Sequence, residues 1–233
     1  MSETLNQLDA TMQEYYRFHR LRYDVLLEKA RASVSRLGGG RLEILDIGMS
    51  FQTVLLQKEF PAAVVNTLGF EDVRFREGVR GIHYSFDLNR TWDRPQWSSV
   101  PPHDFIVMGE VLEHLQAPPQ AVFECMASWL RPGGELLLQT PNAVSLPKRL
   151  RMLRGYNPFM MPKDPGDISA HVREYTVAEL VDLGKAAGIE VCEAGVFNYF
   201  AHKGWTGSLY HRAGGALPKA LRDGITISYR RAK

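Results

Sequence analysis

The chain lacks most of the features that mark a secreted, membrane-spanning or nucleic-acid-wrapping protein. It has only two cysteines, Cys125 and Cys192. Two cysteines give neither a disulfide framework nor a zinc-binding spacing, and their apolar, element-like surroundings predict buried free thiols. No apolar run approaches the roughly 18 residues of a bilayer-crossing helix. The opening residues, MSETLNQLDATMQEYY, hold no apolar core of a secretory signal, so the expected location is cytoplasmic. No charge of one sign dominates: 28 Lys and Arg face 26 Asp and Glu, for a net +2. That balance offers no electrostatic case for a nucleic-acid partner. Internal repeats and low-complexity tracts are also missing. What is present is a globular composition, 45% apolar and 23% charged over 233 residues, enough for one domain with a sizeable core.

Hydrophobic periodicity divides the chain. Across residues 1–37, Leu5, Leu8, Met12, Tyr15, Tyr16, His19, Tyr23, Leu26 and Leu27 recur at roughly helical spacing. Gly38-Gly39-Gly40 then stops the helix. Its aromatic stripe predicts either packing or a lid over a pocket. Beyond it, residues 41–48, 64–68, 81–88, 105–108, 135–139, 189–197 and 223–230 read as strands. Residues 51–60, 118–130 and 176–187 read as helices between them, the last with Thr176 as N-cap and Glu179 at the capping-box position. Strands alternating with helices predict a doubly wound, mostly parallel α/β sheet, with residues 1–40 as a helical segment before a domain over 41–233. Residues 143–170 are too long for an ordinary loop. There, Lys148, Arg149, Arg151, Arg154 and Lys163 interleave with Leu146, Leu150, Met152, Leu153, Phe159, Met160 and Met161, predicting a short amphipathic helix and a Met-rich flap.

The densest chemistry lies in HDFIVMGEVLEHL, residues 103–115. Glu110, Glu113 and His114 follow the carboxyl end of a buried strand, where open α/β sheets bind ligands. Their i, i+3, i+4 spacing would bring two carboxylates and an imidazole to one helix face.

Read in order, DFIV-x-x-EVLEHL, LRPGG-x-LLL-x-TPN, HVREYT-x-x-EL and AGI resemble the class I S-adenosylmethionine-dependent methyltransferases. Within that class they are most similar to the UbiG-like small-molecule O-methyltransferases, and the likeness covers residues 41–231. It implies a seven-stranded sheet whose last strand is inserted antiparallel beside the fifth.

The resemblance also implies a site. Asp46 and Gly48 match the acid and first glycine of the family's D/E-x-G-x-G-x-G cofactor turn, while Ser50 and Gln52 replace the second and third glycines. Ser50 is small enough to be tolerated; Gln52 adds bulk where the helix should meet the sheet. Glu71, or Asp72 beside it, stands a residue or two after the place where the family puts a carboxylate for the ribose hydroxyls; Glu71 is the expected one. Asp87 matches the acid facing the adenine amino group, with Leu88 beside the ring. Glu110 would line the cofactor pocket. Glu110, Glu113, His114 and His171 match a set that holds a divalent cation, and such an oxygen-rich set with imidazole suits Mg²⁺ or Mn²⁺.

Three readings of these four residues stand open: a metal site, metal-free acid–base catalysis through His114 or His171 with Glu110, and a structural role alone. Asn142 would either orient substrate or hold a turn, and Arg173 would either bind an acidic group or pair with an acid. His103 reads as a surface residue. The expected function is methyl transfer to the hydroxyl of a small molecule, such as a sugar, a quinol or a lipid-linked precursor. RNA 2′-O-methylation is the alternative the acid–histidine pattern permits, and a non-catalytic binding protein is the one the altered glycine turn permits. The basic, apolar stretch 146–163 would cover an acceptor or touch a membrane surface.

Overall fold

A computed structural model describes residues 10–76, 78–159, 170–200, 210 and 217–233 of the chain. Leu5, Leu8, Met160, Met161 and Lys163 lie outside the described residues. Seven strands form one sheet in the order β3-β2-β1-β4-β5-β7-β6. They are β1 (Glu43–Ile47), β2 (Val64–Leu68), β3 (His83–Tyr84), β4 (His103–Gly109), β5 (Leu130–Pro141), β6 (Ile189–Phe197) and β7 (Gly224–Arg231). Strands β1 to β5 pair parallel, and β7 runs antiparallel between β5 and β6. This is the doubly wound, mostly parallel sheet expected, antiparallel insertion included.

The period-2 alternation of strand side chains sends alternate residues to two cores. Leu45, Ile47, Ile106, Met108, Leu136 and Leu138 face one side, joining helices α4 (Pro119–Ser128) and α6 (Val177–Ala186) through Val122, Phe123, Met126 and Leu180. Ile44, Phe105, Val107 and Leu137 face the other. There they meet α1 (Ala10–Arg36) and α2 (Phe51–Glu59) through Tyr16, Tyr23, Leu26, Leu27, Ala30, Phe51, Leu55 and Leu56. The N-terminal helix therefore packs directly on the sheet.

Several local expectations need correction. β3 is two residues long rather than eight. It is an edge strand paired only with β2, and Phe86 and Leu88 continue its alternation only because the non-strand chain turns them into the core. His103 is not a surface residue. It is fully buried in β4, its Nε2 lying 3.0 Å from Asn66 Nδ2, and burial lowers its pKa. Cys125 is buried as expected, but Cys192 is exposed, because much of the edge strand β6 faces solvent. The Thr176–Glu179 capping box on α6 forms as read.

After the short α3 (Val73–Arg76) and the helices above, the stretch following β5 contains α5 (Leu146–Leu153), the short amphipathic helix expected there. No helix among the described residues is long and apolar enough to cross a membrane.

Candidate active site

Two cavities open at the carboxyl ends of the strands, and both are lined by Glu110 and Tyr15. The first, about 350 Å³, is walled by Gly48, Met49, Ser50 and Phe51 after β1, by Asp72 and Phe75, by Gly109 and Val111, and by Arg22 and Tyr23 of α1. Gly48 sits at φ 86°, a conformation that favours glycine, and its N–H donates to Leu68 O at 2.8 Å. Ser50 is the N-cap of α2, where its Oγ accepts from Gln52 N at 3.2 Å.

The bulk of Gln52 is absorbed rather than displaced. Its Nε2 donates to Asp46 Oδ1 at 2.6 Å, and Thr53 Oγ1 donates to Asp46 Oδ2 at 2.6 Å. The room comes from Gly109 on the neighbouring strand, where a Cβ would stand 2.3 Å from Gln52 Oε1. Asp46 is fully buried beneath this turn and does not line the cavity. Burial pushes its carboxyl up to about 7, against the lowering pull of Thr53, Gln52 and Arg22.

The other nucleotide-end residues spread out. Glu71 is half exposed and pairs with Arg76 Nε at 2.5 Å, and it lies outside the first cavity, whose wall Asp72 reaches instead. Asp72 is itself gripped by Arg74, which holds its carboxyl below the usual range. Asp87 lines a third cavity of about 360 Å³ with Gly69 and Phe70, while its carboxylate accepts from Asn89 N at 2.9 Å. Leu88 is buried in the core.

The second cavity, about 520 Å³, holds Glu113, His114 and His171. Glu110-x-x-Glu113-His114 does not form an α-helical face. Glu110 leaves β4 at φ 56°, the sole non-glycine with positive φ among the described residues, and a single 3₁₀ turn follows, Leu112–His114. Such strain in a non-glycine residue collects at functional sites. Tertiary contacts nevertheless bring the partners together: one ligand atom each from Glu113, His114 and His171 lie within 4.8 Å of one another.

The imidazoles are oriented from behind. His114 Nδ1 donates to Ala170 O at 3.1 Å, and its Nε2 stands 3.8 Å from Glu113 Oε1. His171 Nδ1 donates to Glu174 Oε1 at 3.0 Å, and Glu174 is held in turn by Lys148. The carbonyl of Glu113 accepts from Val172 N at 2.7 Å, tying the two segments, and Thr140 Oγ1 donates to Glu113 Oε2 at 3.1 Å.

Two oxygens, Glu110 Oε1 and Glu113 Oε1, are buried without a hydrogen-bond partner among the described residues. Burial, and then the neighbouring Glu110 charge, raises Glu113 well above the carboxylate range; burial also raises Glu110, with Arg22 pulling the other way. Two carboxyl groups that meet beside two imidazoles are donors of the kind a hard or borderline cation takes.

α1 supplies the pocket-lining stripe that was one of its two expectations, through Tyr15 and His19, and adds Arg22, for which the sequence implies no role. Tyr15, His19 and Arg22 fall at i, i+4 and i+7, one helical stripe, and that stripe lines both cavities. Arg22 is 3% exposed, stacks on the Tyr23 ring at 4.3 Å, and has no hydrogen-bond partner for Nε or Nη1 among the described residues. A buried guanidinium that lines one cavity together with Ser50 and Phe51 of the α2 N-terminus suits a carboxylate ligand. The stripe spacing was the only signal in the sequence, and Arg17 and Arg20 close by carry no distinguishing mark. His19, its Nδ1 likewise unpartnered among the described residues, is pulled down to about 4 by burial and by Arg22.

Asn142 and Arg173 have structural engagements. Asn142 Nδ2 donates to Ala220 O and Arg222 O, and its Oδ1 accepts from Val144 N, which holds the turn. Arg173 pairs with Glu179 at 2.5 Å.

Residues 28–194 match the methyltransferase domain family. A Mycolicibacterium smegmatis protein assigned as an S-adenosylmethionine-dependent methyltransferase is 38% identical over 119 residues, 50% of this chain and 39% of that protein. The ubiquinone biosynthesis O-methyltransferase of Aeromonas salmonicida is 31% identical over 97 residues, 42% of this chain and 40% of that protein. The matches thus span about two fifths of the length of these curated relatives. Among solved structures, a SAM-dependent methyltransferase from Archaeoglobus fulgidus superposes with TM-score 0.60 at 16% identity, covering 96% of this chain and 100% of that one. The 1,6-didemethyltoxoflavin-N1-methyltransferase of Burkholderia thailandensis superposes with TM-score 0.59 at 14% identity, covering 100% and 87%. At such identities these likenesses bear on the fold. With the family match covering most of the chain, the protein belongs to the methyltransferase domain family.

Proposed function

We propose that the protein transfers a methyl group from S-adenosylmethionine to a hydroxyl of a small molecule, assisted by a divalent cation. The observation that carries this reading is the meeting of Glu113, His114 and His171 in a cavity that adjoins the cofactor cavity through Glu110. Gly48, Ser50 and Arg22 would hold the amino-acid end of the cofactor. The bound sulfonium supplies an electrophilic methyl group, so the protein's task is alignment and proton removal. A cation held by Glu113, His114 and His171 would supply positive charge that favours the deprotonated acceptor. His114 and His171 are fixed in tautomer by Ala170 O and Glu174, which leaves each Nε2 as the basic nitrogen. Tyr15 and His19 wall the cavity from α1. The ubiquinone O-methyltransferase relative favours oxygen as the acceptor atom, whereas the toxoflavin enzyme acts on nitrogen. Balanced charge remains the argument against an RNA acceptor.

The test is calorimetric titration with S-adenosylhomocysteine and with Mn²⁺, followed by a methyl-transfer screen over catechols, sugars and amines. Micromolar binding of both, and turnover on hydroxyl acceptors that Glu113→Gln and His171→Ala abolish, is the expected result. Turnover confined to amines would overturn the acceptor assignment. An absence of S-adenosylhomocysteine binding would overturn the enzyme reading in favour of a binding module.

A further inference from the structure

Among the described residues, three imidazoles line the second cavity: His19, His114 and His171. Two of them are committed. His114 Nδ1 donates to Ala170 O and His171 Nδ1 to Glu174 Oε1, so each offers only Nε2 to the cluster with Glu113. An imidazole nitrogen that ligates a cation has no lone pair left for a proton. The acids of the cavity are engaged as well. Glu174 is held by Lys148 and His171, Asp223 accepts from Tyr199 N at 3.0 Å, and the Glu110 charge acts on Arg22.

His19 is placed differently. It reaches the cavity from α1, and its Nδ1 has no hydrogen-bond partner among the described residues. Its ring centroid lies 4.3 Å from that of Tyr15 and 4.9 Å from that of Phe18, contacts that hold the ring without using a nitrogen. The buried Tyr16 and Tyr23 seat this part of α1 on the core.

We infer that His19 accepts the proton of the acceptor hydroxyl. The inference rests on the methyl-transfer reading and deepens it. As the new oxygen–carbon bond forms, the carbon–sulfur bond breaks and leaves its electron pair on sulfur. The hydroxyl O–H bond breaks toward a ring nitrogen of His19, whose lone pair takes the proton and later yields it to solvent. Burial and the Arg22 charge hold the ring at about 4, so at neutral pH it is in the form that accepts. His19 and Arg22 stand at i and i+3 on α1, neighbours on the helix surface. A carboxylate bound to Arg22 offsets that charge, so the base strengthens once the cofactor is in place.

The test compares catechol, whose hydroxyl is protonated at neutral pH, with nitrocatechol, whose hydroxyl is largely ionised there. His19→Ala and His19→Gln should lower kcat on catechol by roughly 100-fold or more. That loss should exceed the loss on nitrocatechol by roughly tenfold or more, because an ionised acceptor needs no base. Added imidazole should restore part of the catechol rate in His19→Ala. His19 does not line the first cavity, so S-adenosylhomocysteine binding is the control that each variant is folded. A second readout needs no turnover. In histidine-labelled protein holding S-adenosylhomocysteine and Mg²⁺, catechol should shift the His19 nitrogen resonance in NMR spectra, identified by its loss in His19→Gln. Equal losses on the two acceptors, or an unmoved resonance, would overturn the inference and leave the methyl-transfer reading standing. A native chain that methylates neither catechol would also overturn it. One that methylates no hydroxyl compound of the wider screen would overturn the reading on which it rests.

Discussion

Arg22 is the residue whose placement changes most between sequence and structure. A buried cation with two nitrogens unpartnered among the described residues gains little from the fold and much from an arriving anion. Arg22→Met is therefore expected to weaken S-adenosylhomocysteine binding by roughly 10- to 100-fold, the worth of about 1.5–3 kcal/mol for a charged hydrogen bond. Binding of methylthioadenosine, which lacks the amino-acid carboxylate, should stay unchanged in the same calorimetric series; an equal loss for both would make Arg22 a structural residue. Asp46 yields a pH prediction. Its carboxyl is raised from 3.8 to about 7 by burial, so the native state holds a proton that the unfolded chain has released. Its contribution to stability is complete below the unfolded value and is lost as pH rises through about 7. Asp46→Asn should flatten the decline in urea-denaturation stability across that window, which in the native chain reaches a slope of up to about 1.4 kcal/mol per pH unit. A native chain whose stability is level from pH 5 to 8, or an Asn variant that keeps the decline, would refute the assignment.

Elements were legible where one apolar run coincided with one structural role. β2 matches its expected bounds because VVNTL is rich in β-branched residues and is closed by Gly69. The α6 start was legible because a capping box is local chemistry. β3 was over-read, since alternation in GIHYSFDL reports burial and not pairing. The acid–histidine segment has helical spacing but is no α-helix, because spacing alone does not register that the chain must turn at Glu110. Its convergence with His171 nonetheless survives through bonds between residues 113 and 172 that no local pattern encodes. The role of Gly109 was equally invisible: Gln52 looked too large until its neighbour strand supplied the space. At this scale two stability changes are expected. Thr176→Ala removes the α6 cap and should lower stability by about 1 kcal/mol, while leaving Arg173–Glu179 intact. Leu26→Ala empties a fully buried site of α1 against the sheet, and should lower it by about 2–5 kcal/mol. Chemical denaturation measures both, and a Leu26→Ala loss under about 1 kcal/mol would mean that α1 packs only loosely on the sheet.

At the scale of the whole molecule, the first and second cavities share one carboxylate, Glu110. Glu110 faces the first cavity beside Arg22 and the second beside Glu113. With neither ligand bound, the Glu110 charge acts on Arg22. A cation beside Glu113 would draw that charge toward the acceptor side and leave Arg22 to the carboxylate of the cofactor. The two sites would then favour each other, and linkage requires the effect to be mutual. Mn²⁺ is thus expected to tighten S-adenosylhomocysteine binding by about fivefold or more, and S-adenosylhomocysteine to tighten Mn²⁺ binding by the same factor. Glu110→Gln should keep both ligands measurable while bringing that factor to one, because the shared charge is gone and the cluster of Glu113, His114 and His171 remains. Calorimetric titrations run in both orders decide it. Coupling that persists in Glu110→Gln would place the communication elsewhere, and the nearest physical route would be α1, whose Tyr15–His19–Arg22 stripe touches both cavities.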